Sequence, residues 1–274
     1  MTYRVLLGDR LLVAGAGVGP VLGIDTGTPA ARIGVVAAGR VLASISRPVR
    51  SHGADLPELV DAAMRAAGVA VGDLAAVAVG IGPGSFTGLR VSLSYVKGLI
   101  IGSGLKIVGI PSLDAMALCG ADRPEARPGV SICPLIDARR GEVYSSLYQV
   151  GADALERLAG DLVVPLEDFA MQTTGEVVFV GEYKAEEAFA VVQARDGRAA
   201  TQAGNAELRL VGAYVAALGA ARIARGESDR PESLEPRYVR SSGASLNSTT
   251  VDRKEGVEHG TSRGRANPAV CRSG

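Results

Sequence analysis

Val21-Leu22-Gly23-Ile24-Asp25-Thr26-Gly27-Thr28 is the stretch on which the fold turns. Its first four residues are apolar or small, as in a strand buried on both faces. The strand then runs into a carboxylate, two hydroxyls and a glycine at a tight turn. Such a turn can hold a phosphate on its N–H groups, with Asp25 ordering a hydrated Mg²⁺. It reads equally well as a plain β-turn, because Asp, Thr and Gly are ordinary turn residues. An aspartic-protease reading requires a second Asp-Thr/Ser-Gly triplet to pair the carboxylates, and the chain has none.

Outward from this turn the rhythm is α/β. Arg32 to Val36 reads as a second strand, Gly39 as a turn, and Arg40 to Arg47 as a third strand of alternating character. Leu56, Leu59, Val60, Ala63 and Met64 recur at helical spacing over Asp55 to Ala67, and Gly68 stops that helix. Ala75 to Gly80 is a wholly apolar strand, followed by a helix over Thr87 to Ile101 and a buried strand over Lys106 to Ile110. The next helix starts at Pro111-Ser112-Leu113-Asp114, with Ser112 as its cap. The order is three strands, then helix, strand, helix, strand, helix: an antiparallel meander passing into crossover units.

The polar, proline-punctuated segment Ala121 to Gly129 marks a boundary between two lobes, 20–120 and 121–240. The second lobe begins with a hairpin, Val130 to Asp137 and Glu142 to Gln149, turning at Arg139-Arg140-Gly141. Val177 to Val180 is a buried strand and Leu208 to Ala224 an alanine-rich helix, so this lobe is shorter and less regular. Residues 241–274 lose the apolar pattern and are expected to be disordered. Residues 1–19 read as an extension; a leader, an upstream start or a plain tail would each fit. The apolar run Leu11 to Ile24 is shorter than the roughly 20 residues a membrane helix needs.

Composition excludes several functions. The 274 residues carry 29 basic and 29 acidic side chains, a formal net charge of zero, which argues against gripping nucleic acid through a broad basic face. Aromatics are only 4%, leaving little for base stacking. Cys119, Cys133 and Cys271 form no CxxC and cannot all pair, which suits the cytoplasm. His52 and His259, far apart, supply no histidine metal site, and none is expected.

Gly80-Ile81-Gly82-Pro83-Gly84-Ser85-Phe86-Thr87-Gly88-Leu89-Arg90 is the most unusual string. It lies between a strand and a helix, where phosphate-gripping loops occur. It lacks the Gly-Lys-Ser/Thr ending of a Walker A loop and the spacing of a dinucleotide fingerprint. The other reading is a strand-to-helix turn, capped by Ser85 or Thr87, with Gly84 and Gly88 allowing close packing. Arg90, Ser94 and Lys97 share a helix face with Thr87, able to meet a ligand, a partner protein or water. Asp137-Ala138-Arg139-Arg140-Gly141-Glu142-Val143-Tyr144 reads as a solvated turn, and His52 as a structural or capping residue at a helix start.

Taken together, Gly23 to Thr28, His52 to Pro57, Gly80 to Arg90, Lys97-Gly98, Pro111 to Ala115, Asp137 to Tyr144 and Pro236-Arg237-Tyr238-Val239-Arg240 resemble the TsaB (YeaZ) family. These are bacterial tRNA threonylcarbamoyladenosine biosynthesis proteins, non-catalytic paralogues of TsaD. The resemblance covers about residues 20 to 240, and Gly82 to Arg90 is its most specific string. It implies an actin-like ATPase fold, as in sugar kinases and Hsp70: two ribonuclease-H-like lobes with central mixed sheets, the second reduced. It implies a scaffold without catalysis of its own, bound to a TsaD-like catalytic paralogue and joined by a TsaE-like ATPase. That complex transfers a threonylcarbamoyl group to the adenosine beside the anticodon in tRNAs reading codons that begin with A. A homodimer forms when the partner is absent, and tRNA is met only indirectly.

On that resemblance Asp25, Thr26, Gly27 and Thr28 become a relic nucleotide loop, retaining at most a vestigial ATP or ADP contact; no cofactor is required. Gly84, Ser85, Phe86, Thr87, Gly88, Arg90, Ser94 and Lys97 become the partner interface. The chain has no Gly-Gly dipeptide, no second Asp-x-Gly-Ser/Thr loop and no His-x-x-x-His pair. It departs from the family at Gly27, where Ser is commoner, and at His52-Gly53-Ala54-Asp55, where a His-Ser-Glu-like run is usual. The competing functions are a stand-alone actin-like ATPase or kinase using Asp25 and, remotely, a peptidase.

Overall fold

The computed structural model describes residues 4–6, 15–49, 52–195 and 200–239. One sheet holds β2 (Val21–Asp25), β3 (Ala30–Ala37), β4 (Arg40–Pro48), β5 (Ala76–Gly82) and β6 (Lys106–Pro111), while β1 (Arg4–Leu6) lies in the other. The strands stand in the order β4-β3-β2-β5-β6. β2 is antiparallel to β3 and β3 to β4, whereas β5 runs parallel to both β2 and β6. The meander passing into crossovers is therefore present as read. Helices α1 (His52–Ala67) and α2 (Phe86–Ile100) bury Leu56, Val60, Leu93 and Val96 against Leu22, Ile24, Ile33 and Val79.

The other face of this sheet meets a layer of two helices, α3 (Ser112–Ala121) and, near the end of the described chain, α7 (Val211–Ala224). α7 lies on β2 and β3 so closely that backbone touches backbone. A Cβ on Gly23 would sit 2.2 Å from the Gly212 carbonyl oxygen, and one on Gly34 2.3 Å from the Ala213 nitrogen. Part of the glycine excess thus serves as a flat seat for a helix.

The second sheet repeats the plan beyond α3. Its strands are β7 (Ser131–Arg139), β8 (Glu142–Ser145), β9 (Tyr148–Val150), β10 (Ala154–Arg157), β11 (Leu162–Pro165), β12 (Val177–Val180) and β13 (Ala200–Ala203), with helices α4 (Leu166–Gln172), α5 (Tyr183–Arg195) and α6 (Asn205–Leu208). β7 runs parallel to β12 and β12 to β13, while β8 and β9 pair antiparallel with different stretches of β7. α3 packs on β7 and β12 and against α7, so one helical layer serves both sheets.

Three details differ from the sequence reading. The single strand expected over Glu142 to Gln149 is broken at Ser146-Leu147. There Ser145 Oγ donates to the Pro134 carbonyl (2.8 Å) and Ser146 Oγ to the Ala159 carbonyl (2.7 Å), side-chain bonds that tie the chain down at the break. The helix expected from Leu208 starts at Val211, with α6 as a separate short turn. Within the N-terminal extension, Arg4–Leu6 pairs antiparallel with β10. The tail reading for 241–274 falls outside the described residues. No described helix is long and apolar enough to cross a membrane.

Candidate functional site

The Asp25 turn is closed by its own neighbours. Asp25 is 1% exposed. Its Oδ2 accepts a 2.5 Å bond from Ser112 Oγ and its Oδ1 a 3.1 Å bond from the Gly27 N–H. A Cβ at residue 80 would stand 2.0 Å from Asp25 Oδ2, so only glycine leaves room there for the carboxylate. Ser112 is not the cap of α3, since Pro111 holds that position; its hydroxyl instead donates to Asp25 and accepts from the Gly82 N–H at 3.2 Å. The hydroxyl thus accepts from the Gly82 N–H in place of a helix N–H, while its proton goes to the carboxylate.

The glycine-rich string folds back onto this turn. The Ser85 N–H donates to the Gly27 carbonyl at 2.7 Å, and Thr26 Oγ1 donates to the Gly88 carbonyl at 2.8 Å. Cβ atoms on Gly84 and Gly88 would lie 2.2 Å from the Gly27 oxygen and 2.1 Å from the Thr26 oxygen. Ser85 caps α2, its Oγ accepting from the Gly88 N–H at 3.2 Å. The two strings that read separately as phosphate loops are packed on each other.

Thr28 leads across to the second sheet. Its hydroxyl accepts from Arg32 Nη1, and Arg32 Nη2 pairs with Glu182 Oε1 at 2.8 Å. Arg32 is 1% exposed, and its Nε has no hydrogen-bond partner among the described residues. Beside this pair opens a cleft of about 550 Å³, walled on one side by Gly27, Thr28, Gly84 and Ser85 and on the other by Asp137 and Tyr144. Asp137 Oδ1 accepts from the Arg139 N–H at 2.9 Å, and Arg139, Arg140 and Gly141 all take left-handed φ at the hairpin tip.

Of the expected interface residues, Ser85, Phe86, Thr87, Arg90 and Ser94 are exposed, Gly84 and Lys97 are half-buried, and Gly88 is buried under Thr26. Phe86 and Arg90 are joined by Tyr238: the two rings lie 5.2 Å apart, the Arg90 guanidinium sits 4.1 Å over Phe86, and Arg90 Nε donates to Tyr238 Oη at 3.0 Å. The sequence reading missed a buried cluster between the sheets. Arg157, 3% exposed, pairs with Asp114 at 3.1 Å and with Asp161, and Tyr148 Oη donates to Asp114 at 2.5 Å. Only Arg32 inside an apolar strand and Asp114 in an otherwise apolar helix hinted at such buried charge.

The profile of a family described as "TsaD: tRNA N6-adenosine threonylcarbamoyltransferase" matches residues 46–248. The Escherichia coli tRNA threonylcarbamoyladenosine biosynthesis protein TsaB is 36% identical over 129 residues, covering 47% of this chain and 54% of its own. The Bacillus subtilis protein of the same name is 31% identical, covering 54% of this chain and 63% of its own. The chain thus matches just over half the length of these curated relatives. The structure of YeaZ from Pseudomonas aeruginosa aligns over 80% of this chain and 99% of that one, with a TM-score of 0.64 and 27% identity. With its duplicated mixed sheets around a shared helical layer, the fold is the actin-like one. By the reach of the family profile the chain belongs to the TsaD family, and within it the chain is similar to proteins named TsaB and YeaZ.

Proposed function

We propose that this chain is the non-catalytic scaffold subunit, in the cytoplasm, of the complex that places a threonylcarbamoyl group on the adenosine beside the anticodon in tRNAs reading codons that begin with A. The names of the TsaB relatives carry the pathway. The scaffold role rests on one observation: the Asp25 carboxylate is 1% exposed and spends its oxygens on Ser112 and Gly27, behind the Gly27–Thr28 and Gly84–Ser85 wall of the cleft. A carboxylate held this way has no open side for a metal-bound phosphate. Asp25, Thr26, Gly27 and Thr28 are then structural relics, and the chain needs no cofactor. Its first lobe (20–120) docks on a TsaD-like catalytic paralogue through α2, a TsaE-like ATPase completes the assembly, and a second copy takes the surface when the paralogue is missing. The tRNA is held by the partner, in keeping with a net charge of zero.

The test is co-purification with the paralogue of the same organism, followed by tRNA modification in vitro. The chain is expected to bind the paralogue and to be required for product. Full modification in its absence would refute the scaffold role.

A further inference from the structure

Phe86, Arg90 and Tyr238 stand out because large aromatic side chains seldom gather at a surface without a reason. Phe86 is 53% exposed and Tyr238 47% exposed, yet they are held against each other and against Arg90. They come from distant parts of the chain. Phe86 and Arg90 lie on the first turns of α2, one turn apart, so their side chains share a face. Tyr238 arrives on the C-terminal segment, fixed nearby by the Arg237 N–H donating to the Ile81 carbonyl at 2.7 Å and by Arg237 pairing with Asp161 at 3.0 Å.

This arrangement orients Arg90. Its guanidinium carbon lies 4.1 Å over the Phe86 ring and its Nε is used by the Tyr238 hydroxyl. Nη1 and Nη2 make no hydrogen bond or ion pair among the described residues. A guanidinium held at its face and its Nε, with Nη1 and Nη2 left over, matches a carboxylate in a two-point bond, and ordering it beforehand lowers the entropy cost of docking. α2 contains no acidic residue to compete for that fork. An exposed Phe and Tyr beside it supply the apolar, low-entropy contact area typical of the centre of a protein interface.

We propose that Phe86, Arg90 and Tyr238 form one preorganised anchor that receives a carboxylate side chain and an adjoining apolar residue of a protein partner, with the C-terminal segment as part of the docking surface. The inference rests on the scaffold reading above and names the energetic centre of its interface. RNA base stacking fits less well. The guanidinium lies at van der Waals distance over a Phe86 face, where a base would have to stack, and the chain has no net positive charge to draw in phosphates.

The experiment is calorimetric titration of the full chain with the TsaD-type paralogue of the same organism, comparing wild type, Phe86→Ala, Arg90→Gln, Arg90→Lys and Tyr238→Phe. Each variant is first matched to wild type by melting temperature. Phe86→Ala and Arg90→Gln are expected to weaken binding about tenfold or more, as truncation of central interface residues does. Arg90→Lys keeps the charge but loses the fork, and is expected to bind as weakly as Arg90→Gln. Tyr238→Phe removes only the hydroxyl, for a loss of about threefold, and its effect vanishes in the Arg90→Gln background because the two act as one unit. Folded variants that bind like wild type, or full rescue by Arg90→Lys, overturn the anchor and leave the scaffold reading standing. Wild type failing to bind the paralogue overturns both. Loss of tRNA binding in Phe86→Ala, with paralogue affinity unchanged, would assign the platform to RNA and also overturn the proposal.

Discussion

Asp25 closes β2 in one sheet, and Asp137 stands near the end of β7 in the other, where each central strand turns back into an antiparallel neighbour. Around Asp25 the carboxylate itself is enclosed: Ser112 and Gly27 hold it, and Gly84 and Gly88 press the next loop onto the turn, so that of the turn only Gly27 and Thr28 reach the cleft. Around Asp137 the chain opens into the cleft, and its nearby partner Arg139 is mostly solvated. The same topological position has become packing in one half and surface in the other. Local sequence alone does not separate these outcomes, because Asp, Gly and Thr suit a turn in either setting.

The contrast can be broken or sharpened by substitution. The largest effect belongs to neither turn but to the buried cluster that joins the halves. Arg157→Leu takes the guanidinium from buried Asp114 and leaves buried Asp161 with Arg237 alone, and is expected to cost about 3–5 kcal/mol in denaturant unfolding. Next comes a matched pair of glycines. Gly88→Ala drives a methyl into the Thr26 carbonyl oxygen and should cost about 3 kcal/mol. Gly141→Ala meets no neighbouring atom and pays only for its left-handed φ, about 1 kcal/mol. Equal losses for the two would erase the difference between a filled and an open turn.

The carboxylates make a smaller pair. Asp25→Ala strands the Ser112 hydroxyl and the Gly27 N–H inside the protein, at about 2 kcal/mol. Asp137→Ala, on a partly solvated turn, is expected to cost about 1 kcal/mol or less, read from the same unfolding curves. The mildest test concerns Cys119, where burial pushes the thiol well above its ordinary value of 9.0. A raised pKa leaves the protonated thiol dominant at pH 8, so a thiol reagent should modify Cys119 only after unfolding, as mass spectrometry would show.

The first half was legible because its signals are local. Leu56 to Met64 spell a helix by spacing alone, and the all-apolar stretch Ala75 to Gly80 spells a buried strand. The second half uses strands of only three or four residues at β9, β10, β11 and β13, too short to show a period, and β10 completes its ladder with Arg4–Leu6 from the other end of the chain. The site divides in the same way. Asp25, Gly84 and Ser85 announce themselves in two unusual strings. Ser112 looks like a helix cap because the rule for caps cannot see a carboxylate 87 positions away. Arg157 carries no local mark, and Tyr238 only that of a family string; what gives them meaning is Asp114 in one case and Arg90, 148 positions earlier, in the other.

The central claim is that the Asp25 carboxylate is enclosed by protein, so the chain acts by docking and not by turning over nucleotide. Titrating Mg-ATP into the isolated chain, with a hydrolysis assay on the same sample, tests this most directly. The account predicts neither tight binding nor turnover. Tight binding with hydrolysis, both lost in Asp25→Asn, would contradict it.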